Sequence, residues 1–240
     1  MNGGAWLILP TYDEAENIER FVRAVRASLL ATGRPFHVLV VDDNSPDGTG
    51  TIADRLAAEL TEVEVLHRAG KEGLGRAYVA GFRQALAAGA ELVLEMDSDF
   101  SHDPADLPRL IEASNSADLV LGSRYVPGGG VLDWPLPRRL VSRGGSLYAR
   151  LVLGLRVRDL TGGFKCFKRA VLERIGIDSI HADGYGFQIE LTYRAVRAGF
   201  EVVEVPIVFR EREFGTSKMN ARIALEAIWK VPALRLRSGP

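Results

Sequence analysis

Two carboxylates one residue apart close a hydrophobic run in "LVLEMDSDFSHDP", residues 92–104. Leu92, Val93, Leu94 and Met96 read as a strand entering a core, yet the run ends on Asp97-Ser98-Asp99. Two anions that close repel, and each seeks water or a cation. A polar turn capping the next helix explains part of the pattern, since Pro104 suits a first helical turn. The chemical reading is a divalent cation site. Mg2+ and Mn2+ take oxygen ligands, often one or two carboxylates plus substrate phosphates. Ser101 and His102 are near enough in sequence to add a contact, and His102 reads equally well as a helix-start residue.

A second acidic group follows "FHVLVV", where Asp42 and Asp43 open "DDNSPDGT". Two adjacent carboxylates exceed what capping a helix requires, so Asp42 is read as holding a base or ribose hydroxyl. "PTYDE" carries two readings. Thr11 and Glu14 match a capping box, and Tyr12 with Glu14 also suits a nucleotide base or ribose. Lys71 beside "EGLGRA" looks like a phosphate loop, but the chain has no G-x-x-x-x-G-K-[ST] and no G-x-G-x-x-G. Gly73 and Gly75 are therefore read as allowing close helix packing.

The elements that must position these groups alternate regularly. "AWLILP", "FHVLVVDD", "VEVLH", "ELVLEMD" and "ADLVLGSR" read as strands. Between them lie helical patterns: Ile18, Phe21, Val22, Val25 and Leu29; Ile52, Leu56 and Leu60 within about 49–60; residues 73–88; and Leu107, Leu110 and Ile111. This alternation predicts an α/β fold with a doubly wound, mostly parallel sheet. Ligands of such sheets bind outside the carboxyl ends of the strands. Those ends deliver "PTYDE", "DDNSPDGT", "DSD" and "GSRY", so acids distant in sequence converge there with Arg124.

The second half differs. "VPGGGVLDWPLP" is too long for an ordinary turn and reads as a lid or substrate loop. From Trp134 to Arg158 there are six arginines and no acid. Arg139, Arg143 and Arg150 form one helical stripe beside another of Leu140, Leu147 and Leu151, the pattern of a helix lying on a membrane surface. "TGGFKCFKR" reads as an inserted strand in which Cys166 is packing, "YGFQIELTYRAVRAG" as a helix, and "FEVVEVPIVFRERE" as a pair of strands. A flexible "FGTSK" follows, flanked by Arg212 and Lys218, which could close over a pyrophosphate, and a final helix is expected from Met219 to about Trp229.

Composition narrows the function. The formal net charge of −1 over 240 residues gives no general bias toward nucleic acid. One cysteine excludes an internal disulfide. Neither a signal peptide nor a run of about 18 apolar residues is present, so a cytoplasmic protein able to rest on a membrane is expected.

Taken together, "LPTYDEAENI", "VVDDNSPDGT", "GLGRAYVAGF", "MDSDFSHDP", "GSRYV" and "GFKCFKR" resemble the family 2 inverting glycosyltransferases of GT-A fold, and among them the polyprenol- and dolichol-phosphate mannose synthases. The resemblance runs from Leu9 to Lys218. It implies GDP-mannose as donor, a polyprenyl or dolichyl monophosphate as acceptor, and Mn2+ or Mg2+ as cofactor. By position it implies Pro10, Tyr12, Glu14, Val40 and Asp42 at the guanosine, and Asp97 and Asp99 on metal and diphosphate with Ser98 close by. Asp99, Arg124, Arg212 and Lys218 would be the catalytic group, the three cations also contacting the nucleotide sugar. Arg139 and Arg143 would align the acceptor phosphate. Ser101 stands where some relatives carry Gln, so the resemblance supplies only two protein metal ligands. Relatives often continue into transmembrane helices; here the interfacial helix or a separate anchoring subunit would take that part.

The expected organisation is a catalytic domain over 1–218, containing a basic membrane-facing helix at 136–156, then a C-terminal helix and tail at 219–240. A rival reading is transfer of glucose or another sugar from a UDP donor to the same lipid phosphate. A processive polysaccharide synthase should carry Q-x-x-R-W, which is absent. A non-catalytic, membrane-recruited binding module is disfavoured by the complete set of charged residues.

Overall fold

The computed structural model describes residues 3–180, 182, 184–211 and 231–236. Its first half alternates β1 (Ala5–Thr11), α1 (Ile18–Leu30), β2 (Phe36–Asp42), α2 (Thr49–Glu59), β3 (Val63–His67), α3 (Leu74–Ala87), β4 (Leu92–Glu95), α4 (Leu107–Ala113) and β5 (Leu119–Ser123). The second half adds β6 (Gly130–Val131), α5 (Leu136–Leu153), β7 (Lys165–Lys168), α6 (Arg169–Arg174), α7 (Gly184–Arg197), β8 (Val202–Pro206) and β9 (Val208–Phe209). Seven strands form one sheet in the order β3-β2-β1-β4-β7-β5-β8. Only β7 runs antiparallel to its neighbours.

The inner strands β1, β2, β4 and β5 bury both faces, so their side chains alternate between two cores. Leu7, Leu9, Val38, Val40 and Leu94 face α1, α2 and α4. Trp6, Ile8, Leu39, Val41 and Val93 face the layer that holds Tyr78, Phe82, Phe167 and Phe187. The close approach of α3 to β1 depends on Gly81, where a Cβ would stand 2.4 Å from an Ile8 methyl. Gly73 serves another purpose than the packing expected of it: at φ +109° it turns the chain into α3.

Winding runs from β1 outward to β3, then reverses to place β4 on the other side of β1. That reversal leaves a crevice at the carboxyl ends of β1 and β4, where a doubly wound sheet binds ligands. Asp97 therefore lies beside Pro10 and Thr11.

Two local expectations change. Thr11 and Glu14 do not form a capping box, because α1 begins only at Ile18. Thr11 ends β1 and its hydroxyl donates to the Val41 carbonyl at 3.3 Å, while Glu14 accepts from Asn17 Nδ2 at 2.9 Å. The paired strands near the C-terminus belong to different sheets. β8 joins β5, whereas β9 pairs with β6 and ties down the Gly/Pro-rich loop. Gly129 makes that possible, since a Cβ there would lie 2.5 Å from the Ser123 carbonyl oxygen.

The predicted basic helix is α5, ended early by Gly154 at φ +69°. Arg212, Lys218 and the helix expected at Met219–Trp229 lie outside the described residues.

Candidate active site at the strand ends

At the nucleoside end, the loops after β1 and β2 are stitched together. Glu14 N donates to Thr49 Oγ1 at 2.9 Å, and Ala15 N to Asp47 Oδ2 at 3.0 Å. Asp47 Oδ1 accepts from Thr49 N at 3.0 Å and Thr49 Oγ1 at 2.6 Å, so Asp47 is the residue that organises the start of α2. Those hydrogen bonds outweigh burial and hold its carboxyl below the usual value. Asp42 is buried, with Oδ1 accepting from Ser45 Oγ at 2.6 Å. Burial pushes the Asp43 carboxyl up, and Arg68, which also reaches Glu72, pairs with it. Tyr12 is half-buried, and Lys71 sits 4.0 Å above its ring. Val40, on the same face of β2 as Asp42, has its side chain fully buried in the α1/α2-side core, which leaves its backbone for any contact with a nucleotide.

The diphosphate end is built on β4. Tyr78 donates to Asp97 Oδ1 at 3.2 Å, and burial with the nearby carboxylates keeps the phenol well above its usual pKa, hence a donor. Ser98 Oγ donates to the Pro10 carbonyl at 3.2 Å, locking the β1 and β4 ends together. Asp99 Oδ1 accepts from Ser101 N at 3.0 Å across a tight turn in which Phe100 adopts φ +59°. Ser101 thus serves through its backbone. His102 is neither a helix start nor a charged contact. Asp103 caps the next turn through Ala105 N at 2.9 Å, while His102 is buried against Phe164 and Phe209. Burial pulls its imidazole down to about 4, so it is neutral near pH 7.

Beneath Asp97, Lys165 and Glu95 form a fully buried pair at 2.9 Å, with Gln188 Oε1 also accepting from Lys165. Burial pushes both toward neutrality, raising Glu95 and lowering Lys165. Cys166 is buried with its thiol pushed up to about 12, which suits packing and not nucleophilic chemistry.

Arg124 reaches the site differently than expected. It is buried and gripped by Asp159: Nε to Oδ2 and Nη2 to Oδ1, both at 2.7 Å, with Nη2 also donating to Thr161 Oγ1 at 2.8 Å. Asp159 is lowered despite its burial because of Arg124's charge and hydrogen bonds. Its backbone N–H donates to Glu204 at 2.9 Å. Arg124 therefore anchors the loop before β7 to the end of β5. Asp159 was not among the expected site residues; its one signal was being the first acid after the arginine-rich stretch.

Two hydrogen bonds fasten α5 to this anchor: Tyr125 Oη to Ser142 Oγ at 2.7 Å, and Ser146 Oγ to Thr161 Oγ1 at 3.2 Å. Ser142, Ser146, Ala149 and Leu153 make the inward stripe at helical spacing. Leu136, Leu140, Leu147 and Leu151 are 71, 71, 50 and 67% exposed. Arg139, Arg143 and Arg150 run along the flank between those two stripes. Arg139 Nη2 donates to the Val131 carbonyl at 3.0 Å, and Arg138 lies 4.2 Å over the Trp134 ring. Among the described residues no helix is long and apolar enough to cross a membrane.

Could these residues hold a cation? Among the described residues, no three or more His, Cys, Asp or Glu side chains converge as a metal site. The donor set on offer is Asp97 and Asp99, hard oxygens that need substrate phosphate or water to complete a shell. That fits Mg2+ or Mn2+, which commonly bind this way, and not a closed Zn2+ site.

Residues 6–176 match glycosyl transferase family 2. The chain belongs to this family. It is 49% identical over 224 residues to the undecaprenyl-phosphate mannosyltransferase of Micrococcus luteus, covering 93% of this chain and 90% of that one. It is 47% identical over 233 residues to the polyprenol monophosphomannose synthase of Mycolicibacterium smegmatis, covering 96% and 86%. Its fold is similar to that of the mannosyltransferase PcManGT from Pyrobaculum calidifontis, solved in complex with GDP-Man and Mn2+. The TM-score is 0.66 at 20% identity, over 100% of this chain and 66% of that one. The family 2 member thus has a GT-A-like, mostly parallel sheet flanked by helices.

Proposed function

We propose that this family 2 enzyme transfers mannose from GDP-mannose to a polyprenyl or dolichyl monophosphate. Support comes from two relatives near half identity, whose names specify a polyprenyl acceptor and mannose. The observation that carries the reading on this chain is the placement of α5. Its leucine ridge faces outward, its arginines run along the flank, and two hydrogen bonds tie it to the strand end holding Arg124. Such a helix lies in a membrane surface with its apolar face down. A lipid phosphate anchored there would meet Arg139 and Arg143 at headgroup level and the acidic strand ends beyond them.

Pro10, Tyr12, Glu14 and Asp42 would seat the guanosine, with Ser98 close to the nucleotide. Asp97 and Asp99 would hold Mn2+ or Mg2+, which when bound supplies positive charge against the diphosphate. Tyr78 orients Asp97, and the Ser101 backbone N–H orients Asp99. Arg212 and Lys218 would add charge against the departing GDP. No general base is required, because a phosphate monoester is already anionic near neutral pH, with a second pKa of about 6. One lipid phosphate oxygen forms the new bond to the anomeric carbon as the bond to the GDP β-phosphate oxygen breaks. Attack opposite the leaving group gives a β-linked product from an α-linked donor.

Residues 1–218 would act as one catalytic domain, with the basic helix as its membrane-facing part and 219–240 as a tail. It would work peripherally on the cytoplasmic face, where nucleotide sugars are at hand, anchored by α5 itself or by a separate subunit. The test is sugar transfer to polyprenyl phosphate in detergent with Mn2+, comparing GDP-mannose with UDP-glucose. Lipid-linked product from GDP-mannose, lost with EDTA, is expected. Product from UDP-glucose alone would overturn the donor assignment.

A further inference from the structure

A half-exposed histidine stands behind the carboxylate assigned to the nucleoside. His67 is the last residue of β3 and lies in register with Asp42, the last residue of β2. Its Nε2 is 2.8 Å from Asp54 Oδ1 on α2, and its Nδ1 is 3.6 Å from Asp42 Oδ2. The other Asp42 oxygen is taken by Ser45 Oγ at 2.6 Å. α2 presses on this pair at Gly50, where a Cβ would meet Asp42 Oδ2 at 2.8 Å and His67 Cε1 at 3.2 Å. Only glycine lets the imidazole and carboxylate approach beneath the helix.

We propose that His67 is a positioning residue for the nucleotide donor: bridging Asp42 and Asp54, it holds the Asp42 carboxylate in the orientation that receives the nucleoside hydroxyls. The inference rests on the assignment of Asp42 to the nucleoside.

The chemistry of the ring gives the bridge its direction. A neutral imidazole has one N–H and one lone pair, whereas the imidazolium donates from both nitrogens. With two carboxylates facing it, the neutral ring satisfies one and turns a lone pair toward the other. The protonated ring serves both, steadies the Asp42 rotamer, and offsets negative charge that would repel a diphosphate. The charged groups facing His67 are Asp54 from α2 and Asp42 from β2; its strand neighbour Arg68 turns away to Asp43 and Glu72. The hydrogen bond to Asp54, joined by the charges of both carboxylates, outweighs the opposing effect of burial and raises the imidazole above its ordinary value. A folded-state value raised in this way means the stabilisation is present at low pH and fades as pH rises through it.

His67 is 50% exposed on its side chain, so solvent screening keeps the effect small. Calorimetric titration with GDP and Mn2+ between pH 6 and 8 measures it in wild type, H67Q, D54N and D42N. Comparing proteins at each pH cancels the ligand's own ionisation. At pH 6, H67Q is expected to bind GDP about threefold more weakly than wild type, the size of an exposed ion pair, and the ratio should fall toward one as pH rises through the raised imidazole value. D54N, lacking the carboxylate that raises the ring, should close the gap with wild-type behaviour at a lower pH. A ratio of H67Q to wild type that is flat across this range overturns the inference, as does D54N titrating like wild type. D42N tests the underlying assignment separately and should weaken GDP binding about tenfold, the loss of a charged hydrogen-bond acceptor. Undiminished binding by D42N would sink the nucleoside assignment itself. Weakened binding by D42N beside a flat H67Q ratio would remove only the role of His67.

Discussion

Replacing Leu140 and Leu151 with Gln tests whether the outer face of α5 is a membrane surface. Both side chains stand clear of the protein, at 71% and 67% exposure, so the change should cost little folding stability. Complete burial of a leucine is worth about 1.5–3 kcal/mol. About two thirds of that remains to be gained at each position when α5 meets lipid. An interfacial helix sinks only its apolar face, so the low end applies, and the pair should contribute about 2 kcal/mol to partitioning. That is roughly a thirtyfold weaker association. Sedimentation with vesicles of mixed anionic and neutral lipid would read it, alongside the melting temperature and GDP affinity. Unchanged partitioning with an unchanged melting temperature would refute the membrane role of this ridge and leave the leucines as ordinary surface residues.

Replacing Arg139, Arg143 and Arg150 together with Gln should weaken vesicle association most at low salt and raise the acceptor KM; indifference of both would make the stripe a solvated face. Asp99→Asn retains an acceptor for the Ser101 N–H yet removes the charge, so transfer and Mn2+-dependent GDP binding should be lost while the fold survives; retained activity would sink the metal assignment. Asp159→Ala strands the buried Arg124 and should cost about 3–5 kcal/mol in urea unfolding, with the R124M/D159L pair regaining most of it. Because the folded Asp159 carboxyl is held low, the pair's stabilisation is complete above the unfolded value of about 3.9 and is lost as pH falls through the lower folded one. Unfolding measured in acid should therefore show a pH slope in wild type that R124M/D159L lacks.

The sheet was legible because strands buried on both faces and helices with one apolar stripe differ in period. Ile18, Phe21, Val22, Val25 and Leu29 are all fully buried as their spacing requires, and "TGGFKCFKR" is the inserted antiparallel strand. α2 turned slightly from its expected face: Ala53 and Leu56 are buried while Ile52 and Leu60 are half-buried. On this face α2 approaches Asp42 and His67 closely at Gly50, a contact no apolar pattern encodes.

In the site, what could be read was what sits at a strand's carboxyl end. Asp42, Asp97 and Asp99 are there because topology alone puts them there. What escaped is long-range pairing of charges. Arg124 meets Asp159 across 35 residues and Glu95 meets Lys165 across 70, distances at which spacing carries no signal. Arg124 was expected to face the active site, and its partner could not be read from the sequence. Asp159 and Thr161 hold its Nε and Nη2, so it also positions the loop before β7 and, through Thr161 and Ser146, α5.

Direct displacement of GDP from the sugar by a lipid phosphate oxygen fixes both the linkage and the anomeric configuration of the product. NMR of the lipid product reads both. A β-configured mannosyl residue joined through a phosphodiester to the polyprenol is expected. An α-configured product, or mannose attached to anything other than the lipid phosphate, would contradict direct displacement.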